Sequence, residues 1–292
     1  MKILKTYRND DEKHSFNKEI EVQFCSSDMS GKMHIAELLA LTSDLAVEDF
    51  EDRKLDYIML KEHGFAILLS RISYKTIRMP KEAEKIRIST WEEKAQGLQM
   101  VRKFEICAVG CDEKTDCRGS STGGDSSTGD ILIYGTTMWL LVDPIARRIM
   151  PPAKFDLRPV PQISSELKTL EPGKIRLGEN AILAEKRKMN FSDCDPNGHV
   201  NNSRYGAFAI DVLYTDGKIR SEIESKTLTD FRLNYAKEAH CGDTLEIYIS
   251  LENCLDGSVK IVSCGKNCGK VSSQSDTSEN PETSFECEMI WR

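Results

Sequence analysis

The segment Asp195-Pro196-Asn197-Gly198-His199-Val200-Asn201-Asn202-Ser203-Arg204-Tyr205 concentrates the side chains best able to do chemistry. A carboxylate, an amide and an imidazole alternate across a Gly/Pro turn, and an apolar helical pattern follows at once. Polar groups beside a helix N-terminus share space with free backbone N–H groups and the positive end of the macrodipole, which favour developing negative charge. Further along, Glu238 closes a strand pattern in Tyr235-Ala236-Lys237-Glu238-Ala239-His240, just before the turn signal Cys241-Gly242-Asp243. If that strand lies beside the helix, Glu238 reaches His199.

This set can run a water-mediated attack on a carbonyl. Glu238 or His199 would take the proton from water. Asn197 and backbone N–H groups would position or stabilise the carbonyl oxygen. Asp195 would orient His199 or cap the helix. The chain has no G-x-S-x-G elbow, which argues against a serine site of the α/β-hydrolase kind. Each residue also has a plainer use. Asp195 suits an N-cap, Gly198 a left-handed backbone, and Asn201 and Asn202 the free donors of the helix. Glu238 alone is a solvated charge and His240 a surface loop residue. Only the combination argues for a site.

The elements that must carry these residues occur twice. Phe24, Asp28 and Gly31 match Phe191, Asp195 and Gly198 at a constant offset of 167 residues, and Asp44 matches Asp211 at the same offset. Each turn continues as an amphipathic helix, with Ile35, Leu38, Leu39, Leu45 and Ala46 apolar in the first and Tyr205, Phe208, Ala209, Val212 and Leu213 in the second. Strand patterns precede the helices at 19–24 and 184–191. Others follow at 64–74, 85–90, 100–108 and 131–142, and again at 227–234, 244–251, 258–264 and 285–291. Runs of strands with few helices between them predict an α+β fold built on antiparallel sheet. Residues 1–150 and 181–292 read as two domains, and the Pro-rich stretch 151–180 as a linker. The polar stretches 111–130 and 266–284 read as mobile loops. Asn197 is answered by Ser30 and His199 by Lys32, so the amide and imidazole belong to the second copy alone. Glu238 matches Glu82 within Lys81-Glu82-Ala83, though at a different offset.

Composition narrows the class. A chain of 292 residues, 39% hydrophobic and 30% charged, can bury a substantial core. The net charge of −7 argues against nucleic acid as a partner. No apolar run is long enough for a membrane span, and the first ten residues lack the apolar core of a secretory signal. A reducing, cytoplasmic setting with free thiols is therefore expected for the ten cysteines. Cys107, Cys111 and Cys117, and Cys264 and Cys268, lack zinc-site spacing, so no metal is expected there.

At Asp195, Asn197, His199, Val200, Asn201, Asn202 and Tyr205 the chain resembles the acyl-acyl carrier protein thioesterases of plants and bacteria, whose motif runs D-x-N-x-H-V-N-N-x-x-Y. Tyr235-Ala236-Lys237-Glu238-Ala239 is similar to the later Tyr-Arg-Arg-Glu-Cys run, and Thr90-Trp91 and Thr137–Asp143 to pieces of the first half. The resemblance implies a tandem, or double, hotdog, each half an antiparallel sheet wrapped around a long helix. It implies hydrolysis of fatty acyl thioesters on acyl carrier protein, with no metal or other cofactor. It implies Asp195, Asn197, His199 and Glu238 as the catalytic set, with Asn201, Asn202 and Tyr205 on the substrate. The family's Cys is Ala239 here, which favours activated water over a thiol nucleophile. Leu38, Leu39, Leu41, Leu60, Ile67 and Leu69 are candidates to line an acyl tunnel. An acidic carrier protein would dock on Arg147, Arg148 and Lys154, or on Lys186, Arg187 and Lys188. An acyl-coenzyme A thioesterase, a hotdog dehydratase and a non-catalytic acyl-binding module are the alternatives. Monomer and homodimer both remain open.

Overall fold

The structure is a computed structural model that describes residues 1–10, 12–110, 129–270 and 281–292. Cys111, Cys117 and most of the two stretches expected as loops lie outside the described residues. The first half contains β1 (Lys2–Arg8), β2 (Phe16–Glu21), α1 (Ile35–Asp52), α2 (Tyr57–Glu62), β3 (Ala66–Thr76), β4 (Lys85–Gln96), β5 (Gln99–Ala108), β6 (Ile131–Asp143) and β7 (Arg148–Met150). The second contains β8 (Ile182–Lys188), α3 (Asn202–Thr215), α4 (Gly217–Ile223), β9 (Leu228–Tyr235), β10 (Thr244–Asn253), β11 (Val259–Asn267) and β12 (Glu282–Trp291).

All the strands join one antiparallel sheet in the order β1-β2-β4-β5-β6-β3-β9-β12-β11-β10-β8, with β7 added on β6. The halves meet where β3 pairs β9, Tyr74 opposite Phe231 and Ile72 opposite Leu233. On this seam Ile72, Tyr74, Phe231 and Leu233 face the core. Their alternate neighbours face the other side, as the two-residue period of a strand requires.

That core is built on the helices. Every apolar position expected to be buried on α1 and α3 is buried. Each large aliphatic side chain so buried contributes about 1.5–3 kcal/mol. The two helices cross at equivalent positions, Leu39 and Gly206, which are themselves 167 residues apart. A Cβ at Gly206 would stand 2.2 Å from Leu39 Cδ1, so the glycine is what lets the helices approach. The helices run antiparallel: Tyr214, near the end of α3, returns close to Asp28, the turn that precedes α1.

Residues 151–180 are a strap laid on the outer face of the sheet rather than a free linker. Phe155 is buried among Leu55, Met100 and Leu141. Lys94 N–H donates to the Ile163 carbonyl (2.8 Å), and Ser73 Oγ donates to Leu170 O (2.7 Å). Arg232 Nη1 then reaches Glu171 O (2.8 Å), Asn234 Nδ2 reaches Gly173 O (2.9 Å), and Gly178 N–H donates to Ser250 Oγ (3.0 Å). The strap thereby crosses the seam between the halves.

Candidate active site

The two repeated turns have the same backbone. Asp28 N–H donates to Lys32 O (2.7 Å) as Asp195 N–H does to His199 O (2.9 Å). Gly31 and Gly198 both donate to the aspartate carbonyl, and both have positive φ, +70° and +82°. That left-handed geometry explains the glycine in each copy. The aspartate side chains make the same bond as well: Asp28 Oδ1 accepts from Ser30 N–H (2.8 Å), and Asp195 Oδ1 from Asn197 N–H (2.9 Å). Asp195 thus shapes the turn, and its recorded side-chain bond goes neither to His199 nor to the helix.

The cap of α3 is Asn201, whose Oδ1 accepts from Ser203 N–H (2.9 Å). The helix end is braced from behind by Asp193, which was not among the expected site residues. This residue is buried, its Oδ2 accepts from Asn190 N–H, its carbonyl accepts from Asn201 N–H, and its Oδ1 pairs with Arg204 Nη2 at 2.8 Å. The i, i+3 spacing of Asn190 and Asp193 is a capping box, the signal that could have revealed it.

Two tyrosines then fasten the segment after β9 to this helix end. Tyr235 Oη donates to Asn202 O (3.1 Å), and Tyr205 Oη accepts from Ala239 N–H (3.3 Å). Burial pushes the Tyr205 phenol up to about 12, so it stays protonated. Val200 N–H donates to Ala239 O (2.8 Å), and His199 stands opposite His240 in an isolated antiparallel bridge. Glu238 lies three residues past the end of β9, in the turn, and its Oε2 comes within 3.3 Å of His199 Nε2. Both side chains are open to solvent, 33% for His199 and 52% for Glu238. The Asn197 amide makes no side-chain hydrogen bond among the described residues and is exposed. His199 and Glu238 are therefore together and reachable by water, and Asn197 is exposed two residues before His199 on the same turn. Asn201 and Tyr205 carry structural bonds, and Asn202 contributes its carbonyl to one.

The first copy corrects one correspondence. Met33 N–H donates to Pro80 O as Val200 N–H does to Ala239 O, and Lys32 bridges Lys81 as His199 bridges His240. The counterpart of Glu238 is hence Met79, not Glu82. No carboxylate–imidazole pair can form on that side, where Lys32, Met79 and Lys81 replace His199, Glu238 and His240.

The candidate tunnel residues split between two clusters. Leu38, Leu39, Leu41 and Leu69 belong to the main core, whereas Leu60 and Ile67 pack against the cluster around Phe155. Of the basic candidates, Lys186 pairs with Glu246 (2.8 Å), and Arg187 with Glu185 and Asp211 (2.9 Å each). Arg147, Arg148 and Lys154 are exposed and make no ion pair among the described residues. Eight described cysteines are free thiols. No described helix is long and apolar enough to cross a membrane.

One antiparallel sheet wrapped on two crossed central helices, with a polar site at one of two equivalent helix ends, defines a double-hotdog protein. Comparison with known proteins carries this to a family. Residues 13–154 match the acyl-ACP thioesterase N-terminal domain, and residues 179–289 match the acyl-ACP thioesterase C-terminal domain. The chain belongs to the acyl-ACP thioesterase family. It is 22% identical over 200 residues to a chloroplastic acyl-[acyl-carrier-protein] hydrolase of Cuphea viscosissima; the match spans 65% of this chain but only 42% of that relative's length. Its fold is similar to an acyl-ACP thioesterase from Bacteroides thetaiotaomicron (TM-score 0.69, 19% identity, 97% of this chain and 100% of the other). It is equally similar to the 12:0-ACP thioesterase from Umbellularia californica (TM-score 0.69, 16% identity, 95% and 97%).

Proposed function

We propose that this protein hydrolyses fatty acyl thioesters of acyl carrier protein to a free fatty acid and the carrier thiol, using Glu238 and His199 to activate water. The observation that carries the reading is the 3.3 Å Glu238–His199 pair at the end of α3, present in one copy of the repeat and replaced by Met79 and Lys32 in the other. With its proton on Nε2, His199 donates to Glu238 and holds the carboxylate as the base. Glu238 takes a proton from water as the oxygen adds to the thioester carbonyl. Asn197 and the N-terminus of α3 stabilise the oxyanion. Collapse of the tetrahedral intermediate breaks the C–S bond, and the proton held by Glu238 goes to the departing sulfur. Asp195 serves by shaping the turn that presents Asn197 and His199, while Asn201, Asn202 and Tyr205 hold the helix end on which the substrate rests. Position 239, fully buried and occupied by a methyl group, supplies no nucleophile.

The reading keeps 1–150 and 181–292 as the two domains with 151–180 between them, and a reducing cytoplasmic setting in which free thiols persist. The carrier docks on Arg147, Arg148 and Lys154, an exposed basic set that makes no ion pair among the described residues. Turnover of carrier-bound acyl chains of several lengths is the test. His199→Ala and Glu238→Gln each lower kcat by about 10²–10⁴-fold, the usual worth of a general base; near-normal turnover with both would end the proposal. In the same assay, Arg147→Glu with Arg148→Glu raises KM for carrier-bound but not coenzyme A-bound substrate, an effect lost at high salt. Faster hydrolysis of coenzyme A thioesters than of carrier thioesters would transfer the activity to that alternative.

A further inference from the structure

His240 has no part in the mechanism above, yet it is built into the same corner. Its ring meets that of His199 edge-on, with centroids 5.3 Å apart. One ligating atom each from His199, Glu238 and His240 falls within a set whose members all lie within 4.8 Å of one another. Two imidazoles and one carboxylate are a donor set suited to zinc, with a fourth position left for water.

Two further observations favour a metal over a chance cluster. The backbone of His240 is fixed by Asp243, a buried carboxylate that accepts from the His240 main-chain N–H (2.9 Å) and from Asn267 Nδ2 (2.9 Å), and whose Oδ2 lies 3.8 Å from His240 Nδ1. Holding that backbone fixes where the His240 ring emerges, edge-on beside His199. The pseudo-equivalent corner of the first copy has the same backbone bridge but offers Lys32, Met79 and Lys81, none of them a ligand of this class. Metal–ligand bonds of about 2.1 Å require ligand atoms about 3.4 Å apart in a tetrahedron. Glu238 and His240 are exposed, so small side-chain rotations bring the set to that spacing.

We infer that His199, Glu238 and His240 form a binding site for a zinc-like divalent transition-metal ion, and that filling it stops thioester hydrolysis. The binding half stands independently of the proposed function. The inhibitory half rests on it, because the ion takes up the imidazole and carboxylate that would otherwise activate water.

The test uses the full chain stripped with a chelator and titrated with cobalt(II), whose visible absorption reports tetrahedral coordination. One equivalent binds, zinc displaces it, and His240→Ala weakens binding by at least about 10-fold. Added zinc abolishes turnover of the wild-type chain and EDTA restores it, while His240→Ala remains active at zinc concentrations that silence the wild type. The neighbouring thiols Cys194 and Cys241, which contact one another, are the competing ligands. Cobalt binding retained in Cys194→Ser/Cys241→Ser supports the assignment. Binding lost in that variant, or unchanged in His240→Ala, overturns it. Turnover that rises with zinc overturns the inhibitory half. If no thioester is hydrolysed at all, the proposed function fails and the cobalt titration still decides the site.

Discussion

Asp195, Asn197 and His199 sit on one turn, but they divide its labour. The Asp195 carboxylate is spent on the Asn197 N–H, as its counterpart Asp28 is spent on Ser30 N–H. A residue doing the same job in both copies is scaffold, but presence in a single copy does not by itself mark chemistry, as Asn201 shows where the first copy has His34 with no side-chain cap bond. Asn201 tests the distinction. The resemblance puts it on the substrate, while the structure uses its Oδ1 to cap α3. Asn201→Ala is therefore expected to lower stability by about 0.5–2 kcal/mol in denaturant unfolding. Asn201→Asp and Asn201→Ser, which keep the cap, recover most of it. A KM change in the alanine variant with no loss of stability would return Asn201 to the substrate. Glu238 shows what sequence could not place. Its pattern match was Glu82, yet hydrogen-bond register makes its counterpart Met79. Short local similarity carries no register; backbone pairing does.

At the level of elements, the periodicity of α1 and α3 identified all ten expected buried positions, because each helix has one broad face against the core. Strand ends are less legible in the sequence. The strands expected at 19–24 and 184–191 end earlier, at Glu21 and Lys188, because Phe24 and Phe191 begin short 3-10 turns instead. Both rings are largely exposed, at 80% and 89%, so an apolar residue continued the pattern without being buried. Strand β1 has no sequence signature for a related reason: it is an edge strand with Ile3 and Leu4 exposed, so no buried face marks it. The helix crossing is the element-level feature that places the site, since it sets α3 against α1. Gly206→Ala should cost about 1–3 kcal/mol by overpacking against Leu39. Leu39→Ala alone opens a cavity at about 2–5 kcal/mol. Thermal or denaturant unfolding of the double variant should show less than the sum, because the added methyl enters the vacated space; strict additivity would mean the helices are not limited by this contact.

Over the whole molecule, the sheet is continuous and the strap from 151 to 180 ties its two halves on the outer face. The Pro-rich composition of that segment was legible, but its ties were not, because they run through backbone carbonyls that any sequence supplies. Another global feature is a charged cluster in the first half, where Asp49 of α1 pairs with Arg102 of β5 (2.8 Å) and with Arg53 and Arg8, while Glu92 of β4 pairs with Arg53 (2.8 Å) and Arg158 (2.7 Å). Burial alone would raise the carboxyl pKa values, but Arg102, with Arg53 at Asp49 and Arg158 at Glu92, overrides it and holds both below the ordinary range. A carboxyl depressed in the folded state binds fewer protons there than when unfolded. Its stabilisation is present above the unfolded pKa of about 4 and is lost as pH falls through the folded value. Guanidinium unfolding midpoints should therefore drop steeply below about pH 4. Glu92→Gln is expected to be less stable at pH 7 by about 3–5 kcal/mol, with a shallower acid limb. An acid limb unchanged by that substitution would place the acid-labile groups elsewhere.

By itself the sequence determined the duplicated architecture, the buried helix faces and the family motif. Each of these is written in residue type and spacing, and helical or strand periodicity converts spacing directly into a face. Only the tertiary structure decided that Glu238 meets His199, that His240 stands beside both, that Asn201 is a cap, and that 151–180 is a strap. Those facts depend on which backbone amides pair across distant segments, and chain order does not encode that pairing locally. The site arises where the end of β9 and the segment after it are clamped to the first turn of α3 by Tyr235 and Tyr205, two contacts between segments about 33 residues apart in the chain.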